Sequence, residues 1–315
     1  MKSLEGKVAV VAGATRGAGR GIACMLGEAG AVVYCTGRNS RERPNTEAPF
    51  AGRPETIEET AEMVTARGGV GLAARTDHLD ERQVEALFKR VARERGRLDI
   101  LVNDISEGEM HEWKPFWKLS VERGLDALRR GVHTHLITAR HAAPLMVKQK
   151  GGLVVEVGDG DALYYRGNLF YDLVKVTTAR LAYAFAEELR PHGVAAVAVT
   201  PGFMRTEVVL EHFGATEENW REVARTNRKG LAAGFAGSES PYFVGRAVAA
   251  LASDPKVLRK SGGLYSSWAL AEEYGFDDLD GTRPHWWRHF TEHFPRMANA
   301  KPKTGFRWKI EESRR

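Results

Sequence analysis

Lys7-Val8-Ala9-Val10-Val11-Ala12 runs without a break into Gly13-Ala14-Thr15-Arg16-Gly17-Ala18-Gly19-Arg20-Gly21. After Lys7, Val8 to Ala12 are apolar and β-branched enough for a strand buried on both faces. The glycines that follow allow a tight turn, and the small apolar residues from Ala18 onward continue as a helix. A strand, a glycine turn and a helix in that order open a βαβ unit. The backbone N–H groups at the start of such a helix, together with its dipole, attract an anion. Glycines let the chain come close to that anion. The stretch therefore predicts a cradle for the pyrophosphate of a dinucleotide.

Outward from this unit, apolar runs alternate with segments of helical period. Strands are expected at 7–12, 31–36, 70–74, 98–103, 152–157, 194–199 and 263–267. Helices are expected at 18–29, 54–67, 80–95, 119–148, 170–191 and 241–253. That alternation predicts an α/β fold, a doubly wound parallel (Rossmann) sheet of about seven strands. Residues 1–275 are read as the dinucleotide-binding and catalytic domain. Within it, 203–240 interrupts the alternation with a short helical pattern around Trp220 and a Gly/Ala-rich stretch, as substrate loops and lids do. Residues 39–53 are polar and rich in arginine, a surface loop. Residues 276–315 form an extension carrying Phe276, Trp286, Trp287, Phe290, Phe294, Phe306 and Trp308, expected to pack on the domain or on a neighbouring subunit.

The 315 residues carry a net charge of +5 and 43% hydrophobic residues, ordinary for a folded core. The basic residues are interspersed with acids, including in the tail, so no nucleic-acid partner is expected. No run reaches the roughly eighteen uncharged apolar residues that a membrane span needs. Residues 1–13 lack the pattern of a signal peptide. The two cysteines, Cys24 and Cys35, lie in apolar runs, which suits reduced thiols and a cytoplasmic setting.

Thr36-Gly37-Arg38-Asn39 ends the second strand with no acid to hold a ribose 2′-hydroxyl. Arg38, with Arg16 of the glycine turn, is instead suited to a 2′-phosphate. NADP is favoured over NAD. Further on, Tyr171 and Lys175 stand at i and i+4 of a helical pattern, on one face. An ammonium there favours phenolate and lowers a tyrosine from about 10 toward neutrality.

These residues together resemble the short-chain dehydrogenase/reductase family, over residues 5 to about 270. Ala12 stands where the family pattern TGxxxGxG has threonine, while Gly13, Gly17 and Gly19 match, with Thr15 and Arg16 between them. Asp77, beside His78, resembles the aspartate that contacts adenine. Asn103 corresponds to the first residue of the NNAG strand end, although Asp104 and Ser106 replace later members. Tyr171 and Lys175 match YxxxK. Pro201, Gly202 and Thr206 match the nicotinamide-side PGxxxT. The resemblance implies hydride transfer between the nicotinamide and a carbonyl or alcohol of a small apolar substrate, with Tyr171 as acid/base, in a homodimer or homotetramer paired through its long helices.

Two catalytic positions of the family are filled differently. Its serine falls at Gly158, beside Asp159 and Asp161, and its central-helix asparagine falls at Gly131. Loss of a positioned oxyanion donor costs about 10²–10³ in rate elsewhere. Either Asp159, held neutral by burial, or a water above Gly158 replaces the hydroxyl, or Asp159 only caps the strand end. The gaps also leave open a non-redox reaction (lyase, dehydratase or isomerase) and a dinucleotide-responsive sensor. No metal is expected. His285, His289 and His293 have helical spacing without acidic or cysteine partners, and read as an amphipathic segment. Trp113, Phe116 and Trp117 line a pocket or seal the sheet edge. His133 and His135 lie on different faces of their helix, with His135 able to approach the space left by Gly131.

Overall fold

A computed structural model describes residues 2–47, 50–106, 108, 112–160, 165–226 and 234–293. Asp161, Phe294, Phe306, Trp308 and the basic tail lie outside the described residues. Strand β1 (Val8–Ala12) leads through the glycine turn into α1 (Gly17–Glu28). Then come β2 (Val32–Gly37), α2 (Ile57–Ala66), β3 (Val70–Arg75), α3 (Glu81–Arg95) and β4 (Ile100–Asn103). The central helices are α4 (Val121–Leu128) and α5 (Thr134–Gln149), followed by β5 (Gly152–Val157), α6 (Leu169–Leu189) and β6 (Val194–Thr200). Short helices α7 (Glu207–Phe213) and α8 (Trp220–Thr226) precede α9 (Pro241–Ser253), β7 (Leu264–Ser266), α10 (Ser267–Tyr274) and α11 (Trp286–His293).

Among the described residues seven strands make one parallel sheet in the order β3-β2-β1-β4-β5-β6-β7. The order reverses between β1 and β4, and ligands of such sheets gather at the strand ends beside that reversal. Successive strand residues face opposite sides. Val11, Ile100, Val102, Val155 and Val197 pack with Ile22, Leu26, Val244 and Leu251 on one side. Val8, Val10, Tyr34, Leu101 and Val154 pack with Val84, Phe88, Val91 and Met146 on the other. Helices α1 and α9 touch backbone to backbone, because a Cβ on Gly21 would stand 2.0 Å from Pro241 O.

The expected strands and helices are present, with instructive differences at their ends. The strand expected from 98 begins at Ile100, because Gln149 binds both the N–H (3.2 Å) and the C=O (2.6 Å) of Leu98. The helix expected over 119–148 starts at Val121, after the Ser120 cap, and contains a π-turn over Arg129–His133 with Gly131 buried in it. A one-residue expansion of this kind leaves no trace in a 3.6-residue period, and π-turns concentrate at functional sites. Pro191 ends the 170–191 helix at Leu189. Helices α7, α10 and α11 were not expected. They are short, and their form depends on what they pack against.

Residues 276–293 lie against the domain. Phe276 meets Phe243 edge-on at 5.3 Å, and Trp286 stacks on Phe203 at 5.7 Å. The buried Asp278 accepts from Ser240 N at 2.8 Å. Arg205, also buried, donates to Ser238 O and lies over Trp220, tying α8 to the same junction. No helix among the described residues is long and apolar enough to cross a membrane.

Candidate active site

The glycine turn is built for close approach. A Cβ on Gly13 would stand 2.3 Å from Asp104 O, and one on Gly19 would stand 2.3 Å from Gly13 O. Gly13 also has φ +93°, a left-handed conformation costly for other residues. Gly13 N and Ala14 N donate to Thr36 O, stitching the turn to the end of β2. Helix α1 has no side-chain cap of its own. Arg16, its N-cap residue, turns toward Glu55 (3.2 Å) and lies over the Phe50 ring, while its Nη2 is buried with no hydrogen-bond partner. Burial works to raise Glu55, but hydrogen bonds from Arg53 and the nearby guanidinium charges outweigh it and hold the carboxyl at about 2. Arg38 pairs with Glu47, and Arg130 lies 3.6 Å from the same carboxylate. Arg75 donates to Arg38 O. The 39–55 segment thus gathers arginines around the end of β2.

The remaining cofactor-assigned residues lie along the same strand ends. Asp77 Oδ1 accepts from Leu79 N at 3.0 Å. His78 turns inward, with its ring nitrogens 2.8 Å from Thr36 Oγ1 and from Thr138 Oγ1. Burial, with the nearby His135, pushes it down to about 3. His78 therefore ties β2 to α5, a structural contact that its place beside Asp77 did not suggest. Asn103, fully buried, donates to Glu156 Oε1 at 2.7 Å, and its own Oδ1 has no partner. Thr206 caps α7 by accepting from Val209 N. Gly202 N donates to Glu239 Oε2 at 2.9 Å, and Pro201 accompanies it at the end of β6.

Tyr171 occupies the first turn of α6. Asn168, itself buried, caps that turn by accepting from Phe170 N and Tyr171 N. Lys175 Nζ lies 5.2 Å from the Tyr171 ring centroid. Tyr171 Oη donates to Asp159 Oδ2 at 2.5 Å. The structure thus brings together the tyrosine, the lysine and the aspartate named from the sequence. Among the described residues, a Cβ on Gly158 would meet Thr178 alone, 3.7 Å from its Cγ2 and 4.0 Å from its Cβ. The loop carrying Asp159 is held by Gly158 N donating to Val199 O and Gly160 N donating to Thr200 Oγ1.

Sequence reasoning missed Arg166 and Glu239, and named His135 without its partner. Arg166, almost fully buried, donates from Nε to Asp159 O at 2.8 Å and from Nη1 to Asp172 Oδ1 at 3.1 Å, clamping the aspartate loop to α6. His135 places Nδ1 2.6 Å from Glu156 Oε2 and Nε2 3.2 Å from Ile105 O. Both ring nitrogens face oxygens, an arrangement in which an imidazolium donates to both. Burial opposes that charge, yet Glu156 outweighs it and the histidine is raised above its usual value. Glu239, buried beneath Gly202, also accepts from Ser267 Oγ at 2.7 Å, and burial raises it to about 8. None of these three belongs to a spacing pattern. Only the hydrophobic surroundings of Glu156 in β5 were a visible sign.

Of the residues weighed and set aside, His289 and His293 stack at 4.0 Å and His285 lies 3.7 Å from Glu272. Trp113, Phe116 and Trp117 are all exposed, with one edge of the Trp113 ring against Gly167.

A glycine cradle at the switch point of a parallel sheet, with a tyrosine and lysine on the helix after β5, defines a dinucleotide-binding α/β protein of the dehydrogenase class. The sequence profile of the short chain dehydrogenase family matches residues 7–217. Dehydrogenase/reductase SDR family member 1 of Mus musculus is 37% identical over 283 residues, covering 88% of this chain and 85% of that protein. The Homo sapiens protein of that name is 35% identical with the same coverage. A short chain dehydrogenase structure from Mycobacterium thermoresistibile shares the fold with a TM-score of 0.72 at 21% identity, over 90% of this chain and 92% of that one. The chain belongs to the short-chain dehydrogenase/reductase family.

Proposed function

We propose that the chain is an NADP-dependent oxidoreductase acting on a carbonyl or alcohol group, with Tyr171 as acid/base. The observation that carries this reading is the Tyr171 phenol lying between Lys175 on its own helix and Asp159 on the strand-end loop. The site fits a dinucleotide. Gly13 and Gly19 let the turn fold tightly on itself, where a Cβ would strike Asp104 O or Gly13 O, and two buried polar atoms, Arg16 Nη2 and Asn103 Oδ1, have no partner. When bound, the dinucleotide supplies or accepts the hydride. The Lys175 ammonium favours the ionised phenol, so Tyr171 can give its proton to the substrate oxygen. Asp159, half-exposed and hydrogen-bonded to the same phenol, then returns a proton from solvent. Arg166 keeps that aspartate in place through its backbone carbonyl. The exposed apolar residues Val121, Leu125, Leu136 and Leu173 on α4 to α6 support a homodimer or homotetramer. Two buried free cysteines support a reducing, cytoplasmic setting.

The reading is tested by stoichiometric NADPH oxidation against a panel of aldehydes and ketones. Turnover with NADPH outpacing NADH supports it, and dinucleotide binding without turnover of any member supports a sensor instead. In the same assay Arg38→Ala is expected to raise the KM for NADPH by about ten- to hundredfold, the worth of a charge-assisted contact. The KM for NADH should hardly move. An equal change for both cofactors would place Arg38 away from the 2′-phosphate.

Gly158→Ser restores the family's hydroxyl at a position with room for it. The variant is expected to stay within about 0.5 kcal/mol of wild-type stability by urea denaturation. Its kcat should rise, by up to about 10²-fold where the oxyanion lacks a donor. An unchanged kcat would mean that another group already donates there.

A further inference from the structure

The anion position at the start of α1 holds one of the chain's own carboxylates. Glu207, the first residue of α7, accepts from Gly17 N at 2.9 Å, and its other oxygen lies 3.5 Å from Arg20 Nη1. One turn later Glu211 pairs with Arg53 at 2.5 Å. Glu207 therefore docks the start of α7 on the glycine turn, while Glu211 ties its far end to the segment before α2. The same backbone N–H and the same positive helix end are what a pyrophosphate uses. Two anions cannot share them without strong repulsion.

We propose that Glu207 is a latch that competes with the cofactor pyrophosphate for the Gly17 amide, so that dinucleotide binding releases α7 from the glycine turn. This rests on the dinucleotide reading of the site. The carboxylate oxygens of Glu207 stand where phosphate oxygens would, and they complete a helix start that lacks a side-chain cap. Thr206, adjacent in the chain, moves with Glu207 when the latch opens. Cofactor arrival is thereby coupled to the position of the segment after β6, where the substrate loop begins.

Glu207→Gln keeps the length and the acceptor but removes the charge. In the full-length chain, titration with NADPH and with NADH is expected to show binding about three- to tenfold tighter for both, the size of one charge repulsion near a protein surface. Hydrogen exchange of the α7 amides in the cofactor-free variant should resemble that of the cofactor-bound wild type. Glu211→Gln, which leaves the latch in place, should bind both cofactors as the wild type does. Equal affinity of wild type and Glu207→Gln overturns the latch alone, as does a Glu211→Gln variant that tightens binding equally, since the effect would then be general electrostatics. A wild-type chain that binds neither dinucleotide overturns the site reading and the latch with it.

Discussion

Replacing Tyr171 by phenylalanine is expected to lower kcat and kcat/KM together by about 10²–10⁴-fold, the usual range for a positioned general acid. The substitution removes one oxygen from a ring whose backbone is set by the Asn168 cap, so the helix start is retained. Dinucleotide affinity should stay near wild type, because the glycine turn and the arginines around β2 are separate from the phenol. The loss falls in the proton-transfer step. It leaves Asp159 without the hydrogen bond it now accepts and leaves substrate oxygen without its acid. Retention of a tenth or more of the wild-type rate, measured as NADPH oxidation with the best carbonyl of the panel, would remove Tyr171 from the acid/base role.

The second large effect is on stability. His135→Ala is expected to cost about 3–5 kcal/mol, because it strands the Glu156 carboxylate in the interior with only Asn103 for a partner. Urea denaturation at constant pH reads the loss, and a change below about 1 kcal/mol would show that the pair contributes little. The pH dependence has a defined sign. Because the folded His135 is raised above its usual value near 6.5, its contribution is complete below that pH. It is lost as the pH rises through the folded value. The gap between wild type and variant should therefore narrow on the alkaline side.

The glycine turn, the strand alternation and the tyrosine–lysine spacing were legible because each is a local pattern with a local cause. Consecutive apolar residues make a strand buried on both faces, glycines permit the turn, and i to i+4 places two side chains on one helical face. Asp159 came into view only through the resemblance, as the neighbour of Gly158 at the family's serine position, and the structure gives it a hydrogen bond from Tyr171. Arg166 shows the opposite case. Its guanidinium donates to the Asp159 carbonyl and pairs with the Asp172 carboxylate, contacts that nothing in a run of residues announces. Gly131 likewise marked a substituted position, but the π-turn that joins α4 to α5 there depends on what the two segments pack against.

By itself the sequence determined the class of fold, the strand-to-helix cradle and the residues of the tyrosine face, since periodicity and glycine placement act over a few residues. Tertiary structure alone decided which charges meet. It set His135 against Glu156 across two elements, buried Glu239 under Gly202, and laid Glu207 on the amide of Gly17. Those contacts join residues far apart in the chain, and their strength comes from exclusion of water, which exists only once the elements are packed.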